Sequence, residues 1–161
     1  MTGRYPFRYG VGSEAMDFAA PTGLDENEKL LPEYFRNGGY STHMVGKWHL
    51  GFCKKAYWPR SRGFDSFFGI LGGQVKYWDH VVAEEKVSDY FRNEDPVFQK
   101  SYSGSDFTNE AIEIAKNSKK SGKPFFTYLA YLVPHAPLSA SPYWEQEAGD
   151  RHFNTVWGNT K

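Results

Sequence analysis

"GYSTHMVGKWHLGF", residues 39–52, alternates for six residues and then sets Lys47, Trp48 and His49 between Gly46 and Gly51. Tyr40, Thr42 and Met44 alternate with Ser41, His43 and Val45, the period of a strand with unlike faces, and the strand is expected to end at Gly46. Upstream, "NEKLLPEYFRN" reads as a helix. Asn27 would cap it, Leu30 with Tyr34 and Leu31 with Phe35 fall at i,i+4 spacing, and Gly38 and Gly39 supply the stop. Pro32 lies early in this helix, where its missing N–H does least harm. Before it, the first 24 residues are rich in Gly, Pro and Tyr without a sustained period and read as irregular loop.

Downstream, residues 53–104 read as aromatic-rich loops with a short strand near "SFFGIL", and their boundaries stay open. A second helix is predicted over "DFTNEAIEIAKNSKK", residues 106–120. Phe107, Ala111, Ile114 and Ala115 share one face, Asp106 or Thr108 can cap the start, lysines gather at the negative end, and Gly122 breaks it. "PFFTYLAYLV", residues 124–133, is a nearly continuous apolar run of β-favouring residues, expected to be a strand covered on both faces. It stops at "PHAP". Helix, strand, excursion, helix, strand is the grammar of an α/β sheet with helices on its faces. "GKWHLG" and "PHAP" then fall at the carboxyl ends of two strands, the edge at which open α/β sheets bind ligands.

Composition bounds the function classes. A chain of 161 residues is one domain in size and can bury roughly 70% of its unfolded surface. Nineteen basic residues balance nineteen acidic ones, so no global field attracts nucleic acid or an anionic membrane and neither is expected as a partner. No apolar run approaches the roughly 18 residues that span a bilayer, and "MTGRYPFRYG" lacks a signal peptide's apolar region. The single Cys53 excludes an intrachain disulfide and a cysteine zinc site, and no Asn-x-Ser/Thr sequon occurs.

Lys47 and His49 are two residues apart, so an extended backbone would turn both to one side and Trp48 to the other. A cation beside an imidazole suits an anionic oxygen cluster such as sulfate or phosphate. His135, between Pro134 and Pro137, sits on a backbone held stiffly. The same residues also fit plain turns, with Trp48 as an anchor and the charges in solvent. His43 reads as a strand residue meeting a hydrogen-bond partner. His80 and His152 carry no argument, and no metal site is expected from histidines that lack spaced carboxylates.

Four blocks carry a resemblance: "TGRYPFRYG" at 2–10, "LDENEKLLPEYFRNGGYSTHMVGKWHLGF" at 24–52, "PRSRGFDSFFGILGG" at 59–73 and "FFTYLAYLVPHAPL" at 125–138. In this order they resemble consecutive blocks of the formylglycine-dependent type I sulfatases, most like the arylsulfatase B group. The resemblance implies an α/β fold, a mixed sheet flanked by helices as in alkaline phosphatase, present here as a partial domain. It implies hydrolysis of sulfate esters in carbohydrate or aryl sulfates, including sulfated amino sugars of glycosaminoglycans, in a lysosomal or secreted setting. The family uses a formylglycine made from a cysteine, with a divalent cation, usually calcium, neutralising the sulfate oxygens.

By that resemblance Lys47 matches the lysine that binds sulfate and the formylglycine. His49 matches the histidine that bonds the formylglycine hydroxyl and helps eliminate sulfate, and His135 the one that contacts the ester oxygen and assists the leaving group. The family's Cys-x-Pro-x-Arg motif, its calcium-binding aspartate pair and Asp-Asn pair, and a later sulfate lysine have no match in these 161 residues. Cys53 lies outside such a motif. Residues 1–138 are therefore expected to be a segment of a sulfatase catalytic domain and 139–161 a divergent tail, inactive alone, with activity belonging to a complete chain. A catalytically dead module that binds sulfated sugars, or a fragment without function of its own, stays open. "TGRYP" would end the helix that carries the nucleophile, with Gly3 as its stop and Arg4 structural, and in "RGFDSFFG" Asp65 would satisfy backbone donors or Arg62.

Overall fold

The computed structural model describes residues 1–10, 12, 16, 20–82, 86–141, 143 and 146. Within them, helix α1 (Leu31–Asn37) leads into strand β1 (Ser41–Lys47) and β2 (Ser66–Ile70) follows. A hairpin of β3 (Phe91–Arg92) and β4 (Asp95–Pro96), the long helix α2 (Ser103–Ser121) and strand β5 (Phe125–Ala130) complete the order. The sheet runs β4-β3-β2-β1-β5, with β1 parallel to both β2 and β5 and the hairpin antiparallel. This is the mixed α/β sheet expected from the sequence.

Alternation along the strands splits the core in two. Val45 and Phe68 are register partners and point to one face, where they meet Ile70, Tyr90, and Phe107 and Ile114 of α2. Met44 and Phe67 are the next partners and point to the other face, with Leu24, Leu30, Trp48 and Phe64. On that face Phe35 of α1 stacks on Phe126 of β5 at 4.3 Å. A period of two thus becomes two packed layers, one on each side of the sheet.

Several boundaries move, each for a physical reason. Helix α1 starts at Leu31 rather than beyond an Asn27 cap, because a start near Asn27 would put Pro32 a full turn inside the helix, where its ring meets a carbonyl. The Asn27 amide instead donates to Asp25 Oδ1 at 2.9 Å in a turn, and Glu33 accepts the Leu30 N–H at 2.9 Å. Helix α2 begins at Ser103. Neither Asp106 nor Thr108 caps it: Asp106 accepts from the Tyr90 hydroxyl and Gln99, while Thr108 bonds the Gly104 carbonyl inside the helix. Strand β1 runs one residue past its expected end at Gly46, to Lys47. Strand β5 is shorter than its apolar run and is not covered on both faces. It ends the sheet at β1's outer side, leaving Phe125, Tyr128 and Leu129 each more than a third exposed among the described residues. The irregular start includes a 3-10 turn, Pro6–Tyr9.

The turn before β2 locks the parallel pair. Asp65 accepts the Thr42 N–H at 2.9 Å and returns its own N–H to the Thr42 carbonyl at 2.8 Å. Arg62 bonds carbonyls rather than Asp65. It is 3% exposed and donates to the carbonyls of Leu24, Asp25 and Glu28 at 2.8–2.9 Å. Arg4, at the chain's start, pairs with Glu28, as a structural residue would.

Gly46 is the tightest point of the sheet. Its φ is +103°, and a Cβ there would stand 1.9 Å from the Ala130 carbonyl oxygen. Gly46→Ala is expected to destabilise the fold by about 3 kcal/mol, from backbone strain together with overpacking. A urea unfolding midpoint unchanged by the substitution would contradict that packing.

Candidate functional site

Parallel pairing brings the ends of β1 and β5 to one edge. Gly46 faces Ala130 in register, so the segments that follow, Lys47–Gly51 and Tyr131–Pro137, both leave the sheet on the carboxyl side. The first segment stays tethered to β2's extension. The N–H groups of Trp48 and His49 donate to the carbonyls of Ile70 and Leu71 at 3.0 and 3.1 Å, and the Leu50 carbonyl accepts from Leu24 at 2.9 Å. Trp48 turns inward, its indole N–H on the Tyr57 carbonyl at 2.8 Å and its ring edge-on to Phe64.

His49 is not extended. Its φ of +56° is left-handed, and β1 has ended one residue before Trp48. Lys47, the last residue of β1, is two residues before this turn, and its charge contributes to lowering the His49 pKa. Lys47 is half-buried, and burial alone lowers its pKa from the ordinary lysine value. Among the described residues it has no hydrogen-bond or ion-pair partner. A half-buried ammonium with no counter-charge among the described residues favours an incoming anion.

The His49 ring Nε2 lies 2.6 Å from the Met16 carbonyl. A carbonyl only accepts, so Nε2 carries the proton and Nδ1 is bare. Burial pushes the His49 pKa down. The Met16 bond opposes that, and the positive charges of Lys47 and His135 add to the lowering. The register of β1 with β5 brings the segments that carry His49 and His135 to the same edge of the sheet. At His135 itself, Nδ1 is 2.7 Å from the Ala136 carbonyl, so there Nδ1 is the protonated nitrogen and Nε2 the open one. The Tyr77 hydroxyl donates to the His135 carbonyl, and the His135 N–H to the Leu132 carbonyl at 3.0 Å, fixing the exposed loop. The three residues therefore gather one cation and two imidazoles of opposite tautomer at one sheet edge. Such a set can hold a tetrahedral oxyanion and move a proton.

Elsewhere, His43 sits within β1 with Nδ1 2.7 Å from Ser66 Oγ, the strand role read from its position. His80 is fully buried and stacks on Tyr90 at 3.7 Å. His152 and most of 139–161 lie outside the described residues. No sequence pattern singles out Asp89, which is fully buried and whose carboxylate accepts the N–H groups of Leu71 and Gly72 at 2.9 and 2.7 Å. Burial pushes its pKa up to about 6 against those two bonds. Its one signal is a carboxylate set among apolar and aromatic residues in "KVSDYF".

The profile of the family described as Sulfatase matches residues 1–156. The chain belongs to the sulfatase family. This sulfatase chain is 35% identical over 146 residues to arylsulfatase J of Mus musculus, covering 87% of itself and 24% of that protein. It is 30% identical over 158 residues to N-acetylgalactosamine-6-sulfatase of Mus musculus, covering 88% of itself and 30% of the relative. Among solved structures, Ps i-CgsB in complex with k-i-k-neocarrahexaose superposes with a TM-score of 0.78 at 28% identity, over 87% of this chain and 34% of that one. The sulfatase chain thus spans between about a quarter and a third of the length of these proteins, and its mixed sheet is part of their alkaline phosphatase-like fold.

Calcium and a cysteine-derived formylglycine are typical of sulfatases. Among the described residues no three His, Cys, Asp or Glu side chains gather to hold a metal ion, and the donors on this edge are a lysine and two imidazoles, which do not suit a hard cation that takes oxygen ligands. Cys53 is exposed, with Sγ 4.0 Å from the Thr22 carbonyl, and lies in "FCKKA". The described residues do not fit either group. Among them, no helix is long and apolar enough to cross a membrane.

Proposed function

We propose that this chain is the sulfate-binding and proton-handling part of a sulfuric ester hydrolase, acting on sulfated carbohydrates or aryl sulfates. The observation that carries the reading is the half-buried Lys47, unpaired among the described residues, at the end of β1 two residues before His49 and on the sheet edge that the pairing of β1 with β5 shares with His135. Sulfate presents oxygens to Lys47, which is drawn toward its charged form by the anion and held as a point charge at the strand end. His135 serves the leaving group through its open Nε2. With Nδ1–H retained on Ala136, the imidazolium form of His135 carries a second proton on Nε2, which passes to the ester oxygen as the bond to sulfur breaks and leaves the neutral Nδ1–H imidazole. His49 keeps its Nε2 proton on the Met16 carbonyl and presents a bare Nδ1, which can accept a hydrogen bond or a proton from a hydroxyl. The likeness to N-acetylgalactosamine-6-sulfatase and to a solved structure in complex with k-i-k-neocarrahexaose supports a sulfated sugar as substrate. Residues 1–138 are proposed as the catalytic-domain segment and the remainder as tail, in a lysosomal or secreted setting.

Nucleophile and metal chemistry belong, in this reading, to the complete enzyme. The chain alone is expected to bind a sulfated N-acetylgalactosamine and to hydrolyse none of it. Titration calorimetry with the sugar sulfate, beside an assay on nitrophenyl sulfate with and without calcium, checks both halves. Calcium-dependent turnover by these 161 residues alone would overturn the division of labour. Binding that survives Lys47→Ala would overturn the assignment of the sulfate site. Sugar binding by a chain that no added nucleophile-bearing segment makes active favours the second reading, a binding module.

A further inference from the structure

We infer that Asp89 is a positioning residue for His49, acting through the peptide run Leu71–Gly73 that forms the back wall of the site. The inference rests on the reading of His49 as a site residue. Asp89 reaches the end of β2 from a distant part of the chain, after the long excursion, and is anchored there by its own N–H on the His80 carbonyl at 3.0 Å. Its two carboxylate oxygens take one amide each, Leu71 by Oδ1 at 2.9 Å and Gly72 by Oδ2 at 2.7 Å. Both bonds are buried and both are accepted by a charged group at neutral pH, the stronger class of hydrogen bond. Leu71 and the peptide that joins it to Gly72 pass the constraint on. The Leu71 N–H is held by Asp89 while its carbonyl accepts the His49 N–H at 3.1 Å.

The third residue of the run sets the ring. A Cβ at Gly73 would stand 2.7 Å from His49 Cε1, 2.8 Å from Nε2 and 3.3 Å from Nδ1, so the imidazole lies directly against the glycine backbone. Backbone and ring of His49 are thus both registered on residues 71–73, and Asp89 holds the first two amides of that run. The left-handed backbone of His49, φ +56°, is a conformation that a non-glycine residue keeps only where its surroundings enforce it. This clamp is such an enforcement. Among the described residues, no other side chain accepts from those two amides.

Asp89→Asn tests the link with little change in shape. The carboxamide can accept from one amide only and turns an N–H₂ toward the other, leaving two buried donors face to face. Long-range ¹H–¹⁵N imidazole spectra of the 161-residue chain read the effect independently of any activity. The His49 resonances are expected to shift and to lose the Nε2–H tautomer pattern, while those of His43 and His135 keep theirs. Gly73→Ala presses on the same ring from the other end of the clamp and is expected to move the same His49 signals. It serves where Asp89→Asn fails to fold. In a complete, active chain Asp89→Asn is expected to lower kcat about 100-fold, as a misplacement near 1 Å does, with KM changed less than about twofold. Unmoved His49 resonances in either folded variant would overturn the inference. A wild-type complete chain without sulfatase activity would instead overturn the function proposed above and leave this link standing.

Discussion

Replacing Lys47 by Ala in a complete sulfatase chain that contains this segment is expected to slow turnover about 100- to 1000-fold, the loss typical when one preorganised electrostatic partner of a developing charge is removed. That corresponds to roughly 3 to 4 kcal/mol of transition-state stabilisation. Stability should barely respond. Lys47 is half-buried at the last position of β1, and its strand pairing with Ile70 is made by backbone, which Ala retains. Among the described residues its ammonium has no partner to be orphaned by its loss, and burial already disfavours its charge. The expected change in folding free energy is at most about 0.5 kcal/mol, and a thermal midpoint should move by about 2 °C or less. Comparing kcat with the midpoint separates the two effects. A variant that turns over normally, or one whose loss tracks unfolding, would return "GKWHLG" to the role of a structural turn.

The parts of the fold legible in the sequence were those set by local period. Alternation in "YSTHMV" marked β1 because both faces of that strand meet packed layers, Met44 on one and Val45 on the other. The spacing of Phe107 and Ile114 marked α2 for the same reason. The apolar run at 124–133 marked a strand but misjudged its cover. A run of β-favouring residues reports only that the side chains are apolar, and in β5 the outer neighbour that would cover Phe125 and Leu129 is not among the described residues. Residues 74–104 were illegible because almost nothing there is local. The hairpin of β3 and β4 is two residues per strand, turning at Asn93 with φ +59°, and its strand identity comes from pairing with Phe68 and Gly69.

The site divides along the same line. Lys47, His49 and His135 were visible as side chains in short loops at strand ends, and the parallel pairing of β1 with β5 is what turns two distant stretches into neighbours. Asp89 was not visible. Its role lies in two hydrogen bonds to amides 17 and 18 residues upstream, a relation that no spacing encodes. The tautomers of His49 and His135 were equally out of reach, since each is decided by a backbone carbonyl, Met16 in one case and Ala136 in the other.

Those tautomers give the other large effect its direction. His135→Ala, in the complete chain, is expected to slow hydrolysis of a sugar sulfate by about 100- to 10,000-fold, the usual range for losing a positioned general acid. With Nδ1–H committed to Ala136, only Nε2 can exchange a proton with substrate, so the residue has one productive orientation. An alkoxide leaving group needs that proton because it is a poor anion, whereas nitrophenolate leaves well without help. The same substitution should therefore slow nitrophenyl sulfate hydrolysis much less, by about tenfold or under, since the proton contributes little to a transition state whose leaving group is already stable. The fold should be indifferent, because the His135 side chain is exposed and the loop is held by bonds between its backbone and the Leu132 carbonyl and Tyr77 hydroxyl. Measuring kcat/KM on both substrates decides the role. Equal losses on the two would mean that His135 binds sulfate rather than serving the leaving oxygen, because a sulfate contact is common to both esters and proton assistance is not.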